Sequence, residues 1–174
     1  MSGNRRQEPP RLADAAAASQ RADRPEEGAA AKDEQALAER AVNLMRKHDA
    51  FSRWLGLEVV SLAPRSCTVR ATVREEMLNG FGVCHGGITF ALADSALAFA
   101  SNTHGQLTMS VENGISYVAP VRLHDVLTAT AVEEAAGGPL ACYRVTVRNQ
   151  VDQPVALFRG TVYRTKRALV DETR

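Results

Sequence analysis

The chain has no long apolar run and almost no surplus of charge. No stretch of its 174 residues approaches the roughly 18 consecutive apolar residues that a membrane-spanning helix needs. Residues 1–20 also lack the apolar core of a secretion signal, so we expect a cytoplasmic protein with no membrane partner. The formal net charge of +1 gives no broad basic surface, and nucleic acid is therefore not expected as a partner.

Cysteine and histidine are few and scattered. The three cysteines include no CxxC pair, which argues against a disulfide framework and against a cysteine-rich zinc site. The four histidines include no HxxxH pair that would place two ligands on one face of a helix. The sequence therefore predicts no metal site.

Large apolar residues are almost absent from residues 1–33, where Leu12 is the exception. Such a segment cannot bury enough apolar surface to offset the entropy of ordering, and we predict a disordered N-terminal tail. One domain is expected over residues 34–166, followed by a short C-terminal tail over 167–174. No internal repeat and no second shift in composition indicates another domain.

The pattern of apolar residues predicts two helices and six strands. Helical spacing covers residues 34–54, and a nearly apolar, alanine-rich helix covers 86–102. The strands are predicted over residues 57–63, 67–73, 107–118, 125–133, 140–147 and 155–165. Short turns rich in glycine, proline and aspartate separate several of these strands, which favours antiparallel hairpins.

This order of elements predicts an α+β fold. A helix that is apolar on all sides has to be buried, and an antiparallel sheet wrapped around it would bury it. An open sheet leaves an edge strand, and such edges are commonly covered by a second subunit. We therefore expect a homo-oligomer.

Asp94 lies within the nearly apolar helix. An ionised carboxylate in such surroundings is costly unless hydrogen bonds or charges compensate. Asp94 is thus either a functional carboxylate or a residue that caps a helix break or faces solvent. The residues alone leave both interpretations open.

The segment Cys84-His85-Gly86-Gly87 precedes this helix. Free amides at a helix N-terminus attract negative charge, and Gly86 N–H is a candidate donor to an oxygen that gains charge during acyl transfer. A tight strand-to-helix turn would explain the paired glycines equally well. Eight residues of helix separate Gly86 from Asp94 by roughly 12 Å, so a site that uses both requires one residue from each of two subunits.

Four short segments are specific as a set: MLNG at 77–80, CHGG at 84–87, FALAD at 90–94 and VALFRG at 155–160. Together they resemble the hotdog-fold acyl-CoA thioesterases of phenylacetate degradation, the PaaI-like family, from about Leu37 to Arg164. The resemblance implies an antiparallel sheet wrapped around one long central helix. It also implies hydrolysis of (hydroxy)phenylacetyl-CoA-type aromatic thioesters to the free acid and CoA, with no cofactor because CoA is part of the substrate.

The resemblance also assigns roles to individual residues. It implies that Asp94 acts as nucleophile or as general base for water, and that Gly86 N–H polarises the thioester carbonyl. Asn79 and His85 match positions that orient water or the thioester, and Ser110 matches a polar position opposite the carboxylate. The family further implies a dimer as the active unit and a homotetramer as the assembly. Without the resemblance, Asn79 would be interpreted as a turn residue, His85 as a loop residue and Ser110 as a solvent-facing strand residue.

Three alternatives compete with this prediction. Cys84 and His85 could form a thiolate nucleophile and its base, although adjacent side chains usually diverge. A hydratase or dehydratase acting on acyl-CoA would also use a histidine and a carboxylate. A non-catalytic acyl-CoA binder or sensor could use the same pocket, but it would not need Asp94.

Overall fold

The computed structural model describes residues 25–170. A compact unit begins at Asp33, one residue before the predicted start of the domain, and it contains the sheet, the central helix and the sites discussed below. The predicted disordered tail lies largely outside the described residues. Its last part, residues 25–33, is instead helical.

Helix α1 spans Pro25–His48 and begins nine residues before the predicted start. Residues 28–34 are exposed, and alanine there favours a helix by its intrinsic propensity without any burial. The predicted helix over 34–54 is also interrupted, because Asp49 caps a separate helix α2 at Ala50–Leu55 by accepting a 2.9 Å hydrogen bond from Ser52 N. Gly56, with φ of 73°, ends α2 in the left-handed conformation.

Helix α3 spans Gly86–Asn102, with the bounds that the sequence predicts. Leu92, Leu97 and Phe99 are almost completely buried on it. This helix packs against five of the six strands, which confirms that the apolar segment forms the central helix of the domain.

All six predicted strands are present. They are β1 (Glu58–Ala63), β2 (Ser66–Thr72), β3 (Gln106–Tyr117), β4 (Val126–Gly137), β5 (Leu140–Arg148) and β6 (Pro154–Ala168). Strand β6 runs into the predicted C-terminal tail, because Ala168 still pairs with Gln106 and Leu169 N donates to Gly105 O at 2.7 Å. The end of the chain over 171–174 lies outside the described residues.

The strands form one sheet in the order β1-β2-β4-β5-β6-β3, and every neighbouring pair is antiparallel. The predicted α+β architecture, a single antiparallel sheet covering one central helix, is confirmed. Strand β3 lies at an edge of this sheet and pairs only with β6 in the described chain. It exposes about half of the side chains of Met109, Val111 and Tyr117, which are 53%, 59% and 53% accessible.

Candidate active site

Asp94 lies in the middle of α3 and faces strand β3. Its carboxylate oxygen Oδ1 accepts a 2.8 Å hydrogen bond from Asn113 Nδ2. The carboxyl group is partly buried, and burial raises its pKa, while the hydrogen bond from Asn113 and then the nearby hydroxyl of Ser110 act in the opposite direction. Asp94 therefore has compensating donors and does not simply face solvent.

A β-bulge places Ser110 and Asn113 on the same side of β3. Residues three apart on a regular strand point to opposite faces of a sheet. The register of β3 against β6 shifts between Ser110 and Glu112, so that Ser110 lies opposite Val162 and Asn113 opposite Gly160. Because Val162 and Gly160 are two residues apart, their partners share the face that meets α3.

Ser110 is exposed and lies beside Asp94 without forming a direct hydrogen bond of standard geometry. Its hydroxyl still contributes to the pKa of the carboxyl group, after burial and after Asn113. The structure thus brings Ser110 to Asp94, as the prediction requires, but Asn113 makes the closer contact.

Gly160 lets β6 approach this pair closely. A Cβ atom at position 160 would lie 2.5 Å from Leu97 Cδ2 and 2.6 Å from Asn113 Oδ1. Asn113 Oδ1 is buried and accepts no hydrogen bond from the described residues. The absence of a side chain at Gly160 therefore determines where the Asn113 amide can lie.

A second group of predicted residues meets at the N-terminus of α3. His85 is the N-cap residue, and its Nδ1 accepts a 2.9 Å hydrogen bond from Gly87 N. Gly86 N–H finds no acceptor among the described residues, as is usual in the first turn of a helix. This amide is therefore free to donate to a ligand.

Tyr117 closes one side of this N-terminus. Its hydroxyl donates to Gly86 O at 2.8 Å, and a Cβ at position 86 would lie 2.9 Å from the tyrosine ring. A groove of about 420 Å³ runs beside Gly86 and Tyr117, and its other walls are mostly apolar. Val83, Val118 and Pro120 are among them.

Asn79 organises the turn that precedes α3. Its Oδ1 accepts hydrogen bonds from Phe81 N at 2.9 Å and Val83 N at 3.4 Å. Its backbone amide donates to Val83 O at 2.8 Å. In the described chain its side chain thus serves the turn. The same turn presents Phe81, whose side chain is 93% exposed.

The predicted site residues thus form two groups within one chain. Asp94 and Ser110 meet at the middle of α3, whereas Gly86, His85 and Asn79 meet at its start. Eight residues of helix separate Gly86 from Asp94 by roughly 12 Å. The two groups cannot contact one carbonyl group together within a single chain.

The environment of Cys84 argues against a thiolate nucleophile. The side chain is buried, and burial raises the pKa of its thiol. Its Sγ lies 3.6 Å from the carbonyl oxygen of His85, while the His85 Nδ1 is occupied by Gly87 N. Cys84 and His85 therefore do not form a nucleophile and base pair.

Comparisons with known proteins assign the chain to a family. Residues 81–156 match the thioesterase superfamily. The chain is 38% identical over 120 residues to the Escherichia coli acyl-coenzyme A thioesterase PaaI, covering 69% of this chain and 86% of that protein. It is also 38% identical over 128 residues to a putative esterase of Archaeoglobus fulgidus, covering 74% of this chain and 83% of the relative.

The chain belongs to the thioesterase superfamily. The solved structure of the E. coli PaaI protein superposes with a TM-score of 0.75 and 34% sequence identity, over 77% of this chain and 97% of that one. The hotdog fold is therefore confirmed, and the protein is an acyl-CoA thioesterase of the PaaI type. The two relatives reported above are named as an acyl-CoA thioesterase and a putative esterase, and they do not favour the hydratase or sensor alternatives.

Sequence reasoning missed two residues of this thioesterase that contact the predicted site. Asn113 holds Asp94, and Tyr117 contacts Gly86. A regular strand would have placed Asn113 on the face opposite Ser110, so only the bulge reveals it.

Among residues 25–170, none of the helices is both long and apolar enough to cross a membrane.

Proposed function

We propose that this thioesterase hydrolyses aromatic acyl-CoA thioesters of the (hydroxy)phenylacetyl type, with Asp94 as the reactive carboxylate. The observation that carries the proposal is the geometry of Asp94. Asn113 fixes Oδ1 with a 2.8 Å hydrogen bond, while Oδ2 accepts no hydrogen bond of standard geometry from the described residues. One oxygen is thus positioned and the other remains available to water or to the thioester carbon.

The chemistry requires a water molecule, a carbonyl carbon and a leaving thiolate. With Asp94 as general base, the water oxygen bonds to the carbonyl carbon and its proton passes to the carboxylate. The C–S bond then breaks as the carbonyl re-forms, and CoA leaves as a thiolate that takes up a proton. With Asp94 as nucleophile, its oxygen bonds to the carbonyl carbon and the C–S bond breaks, which releases the CoA thiolate and leaves a mixed anhydride. Water then cleaves the anhydride, returning the Asp94 carboxylate and releasing the acid. The outcome is the same acid and CoA.

Gly86 N–H supplies the stabilising donor in this proposal. The amide has no acceptor among residues 25–170, lies at the positive end of α3 and belongs to a residue that lines the groove of about 420 Å³. The roughly 12 Å that separates it from Asp94 means that the Gly86 acting on a given thioester comes from a second subunit. Two-fold symmetry would then create two equivalent sites in a dimer.

The other predicted residues support these two groups. Ser110 lies beside Asp94 and would hold the attacking water. His85 caps α3 through Nδ1, and we assign its other ring nitrogen, Nε2, to orienting water or the thioester. Asn79 would act through the turn that it holds, because its side-chain oxygen already accepts two backbone hydrogen bonds.

Two observations favour an aromatic acyl group. The similar E. coli PaaI protein comes from the phenylacetic acid degradation operon. The groove at the N-terminus of α3 also has mostly apolar walls, and the half-exposed ring of Tyr117 lies within it. An aromatic acyl chain would bury these surfaces.

Strand β3 supports a dimer as the active unit. It is a twelve-residue edge strand with exposed apolar side chains, which monomeric proteins usually avoid. Antiparallel pairing of two β3 strands would place the Asp94 and Asn113 pair of each chain close to the two-fold axis. We propose that two such dimers form a tetramer, which sedimentation velocity would distinguish from a dimer by mass.

The proposed function is tested by thiol release from phenylacetyl-CoA and from a straight-chain acyl-CoA of medium length. We expect a higher kcat/KM for the aromatic substrate, and a loss of at least about 100-fold in kcat for Asp94→Asn. Asp152→Asn is the matched control, since it makes the same chemical change at an exposed aspartate in a turn. Equal activity of Asp94→Asn and wild type would exclude Asp94 as the reactive carboxylate, and a preference for the straight chain would exclude the aromatic specificity.

A further inference from the structure

A cavity of about 410 Å³ lies at the opposite end of α3 from Gly86. It is bounded by Thr103 and His104, just beyond the last turn of the helix, and by the ends of neighbouring strands. Nine residues of helix separate Thr103 from Asp94, which corresponds to about 14 Å. The cavity is therefore separate from the site that Asp94 forms in the same chain, and its size suits a small molecule.

Two side chains that line this cavity have buried polar atoms without partners. Both ring nitrogens of His104 and Nε of Arg164 are inaccessible to solvent and form no hydrogen bond with the described residues. A buried polar group without a partner is costly, and native proteins normally satisfy it with protein, water or ligand. Three such atoms in two residues that line one cavity make it a candidate site for a polar ligand.

The cavity is lined by two guanidinium groups, those of Arg65 and Arg164, and by two carboxylates, those of Glu34 and Glu133. Burial lowers the pKa of His104, and the Arg164 charge lowers it further, more than the Glu133 carboxylate raises it. The ring is thus neutral near pH 7, with one nitrogen as donor. Glu133 is already engaged, since its Oε2 accepts hydrogen bonds from Arg164 and, at 2.7 Å, from Tyr143.

Arg65 adds a second guanidinium to the lining, and its backbone is held firmly. It adopts a φ of 63°, its amide donates to Thr103 Oγ1 at 2.8 Å, and its carbonyl accepts from Glu133 N at 3.1 Å. Its side chain is 56% exposed and lies 3.7 Å from Glu34, a weak and solvent-screened pair. The side chain can therefore turn towards a ligand at little cost.

Apolar side chains form another part of the cavity wall, and they distinguish between ligands with and without an apolar body. Leu37, Pro64 and Ala136 line the same cavity. A bare inorganic anion would leave these surfaces without contacts, whereas a carboxylate on an apolar body would meet both kinds of wall.

We propose that this cavity is a second ligand site, which binds a small carboxylate with an apolar body. Rotation of the His104 and Arg164 side chains would turn these buried nitrogens towards the cavity, where the carboxylate accepts hydrogen bonds from Arg164 Nε and from the N–H of His104. Arg65 contributes its charge at the mouth. The apolar body lies against Leu37, Pro64 and Ala136. The site does not require the thioesterase chemistry, so it is expected to survive in Asp94→Asn.

Benzoate and inorganic phosphate are suitable probes, added to the ¹⁵N-labelled full-length protein. The imidazole nitrogen resonances of His104, assigned by their loss in His104→Leu, report occupation directly. We expect saturable shifts of these resonances with benzoate, in wild type and Asp94→Asn alike. His104→Leu and Arg65→Asn should weaken benzoate binding measured by calorimetry by roughly tenfold or more, since each removes a donor or charge that contacts the carboxylate.

Arg65→Asn preserves the backbone, because asparagine tolerates the left-handed conformation. Arg70→Asn is the control, since Arg70 pairs with Glu58 on the surface and does not line the cavity. Thermal unfolding of each variant separates lost binding from lost folding. Unshifted His104 nitrogens with benzoate would mean that the cavity holds solvent alone and would overturn the proposal. So would tighter binding of phosphate than of benzoate, or benzoate binding that is unchanged in both variants.

Discussion

At the scale of single residues, the hydrogen bond from Asn113 keeps the pKa of Asp94 lower than burial alone would make it. Burial raises the pKa of this carboxyl group, and Asn113 is the larger of the two interactions that oppose the rise. Asp94 has to be ionised to act as a base or as a nucleophile. Activity on the acidic side of the pH profile should therefore depend on a residue that does not itself react.

Replacing Asn113 by alanine should move the acidic limb of the kcat/KM profile to higher pH. The substitution removes a donor to the charged form, so the pKa of Asp94 rises further. A hydrogen bond to a charged group contributes on the order of 1.5 kcal/mol, which corresponds to about one pH unit. The measurement is kcat/KM against pH for wild type and Asn113→Ala.

Ser116→Ala provides the control for this experiment. Ser116 also lies on β3, but it lines a groove with Glu112 and Arg159 instead of facing Asp94. Its profile should coincide with that of the wild type. A limb that stays in place in Asn113→Ala, with kcat alone reduced, would show that Asn113 does not tune Asp94.

Substitution of Gly160 should also affect stability and activity, because there is no space for a side chain at this position. A methyl group at position 160 would overlap Leu97 and the Asn113 oxygen, at 2.5 Å and 2.6 Å. We expect Gly160→Ala to cost about 1–3 kcal/mol of unfolding free energy and to reduce kcat as Asn113 is displaced. Urea denaturation and steady-state kinetics measure the two effects.

Gly137→Ala is the matched control, because no heavy atom of the described part of the chain lies within 4 Å of the added Cβ at that strand position. It should leave both quantities close to their wild-type values. Full activity in Gly160→Ala would mean that the core accommodates the methyl group without moving Asn113.

At the scale of elements, the start of α3 combines a structural cap with the proposed site. His85 caps the helix through Nδ1, and the neighbouring amide of Gly86 is left free. The histidine could therefore matter because it orders the helix terminus, because its Nε2 contacts water or substrate, or for both reasons. These roles separate when asparagine replaces it, since asparagine is among the best N-cap residues.

We expect His85→Ala to lower the unfolding free energy by about 1 kcal/mol and His85→Asn to restore most of it. If Nε2 also contacts the reaction, as we propose, kcat should remain low in both variants. Denaturant unfolding and thiol release on the same preparations give the two readouts. Full recovery of kcat in His85→Asn would show that His85 acts only as the helix N-cap and that Nε2 has no role in the reaction.

The elements themselves were largely predictable from sequence, because burial dictates their patterns. The apolar segment around Asp94 gave α3 its observed bounds, and the alternating strands gave a single antiparallel sheet. Asp49 was missed as a helix boundary because the apolar pattern continues across it. The helix break is set by the hydrogen bond that Asp49 accepts from Ser52 N. The early start of α1 was missed because alanine helices need no large apolar residues.

The candidate site was less predictable, and Asn113 shows the reason. Its role depends on a bulge near Val111, which turns Ser110 and Asn113 towards the same face. A β-strand pattern carries no signal for one extra residue. The family resemblance proposes Asp94, Gly86 and His85 as site residues by their position in the motifs, while the contacts around them are visible only in the structure.

At the scale of the whole molecule, the dimer that we propose through edge strand β3 links assembly to the proposed chemistry. Burying it would cover the exposed side chains of Met109 and Val111 and would bring Asp94 of one chain towards Gly86 of another. A site shared in this way makes a prediction that no single-chain site can satisfy. Two different inactive proteins should restore activity when their subunits mix.

The two proteins are Asp94→Asn and Gly86→Pro. Proline is favourable at the first residue of a helix and removes the amide hydrogen that we assign to the thioester oxygen. It also adds a Cβ, which would lie 2.9 Å from the Tyr117 ring. His85, with φ of −62° and ψ of 131°, already has the extended conformation that a residue before proline adopts. Gly86→Ala is the control, because its Cβ meets Tyr117 in the same way but the N–H remains.

Each variant alone should be nearly inactive, whereas Gly86→Ala should retain much of its activity. After unfolding and refolding of an equimolar mixture, half of the dimers contain one subunit of each kind. In these dimers one site has both substitutions and the other has intact Asp94 and Gly86. Thiol release should thus recover to about a quarter of the wild-type value, because a two-fold axis gives each dimer two sites. If both residues acted within one chain, every site in the mixture would carry a substitution and no activity would return, even with mixed dimers verified by mass spectrometry.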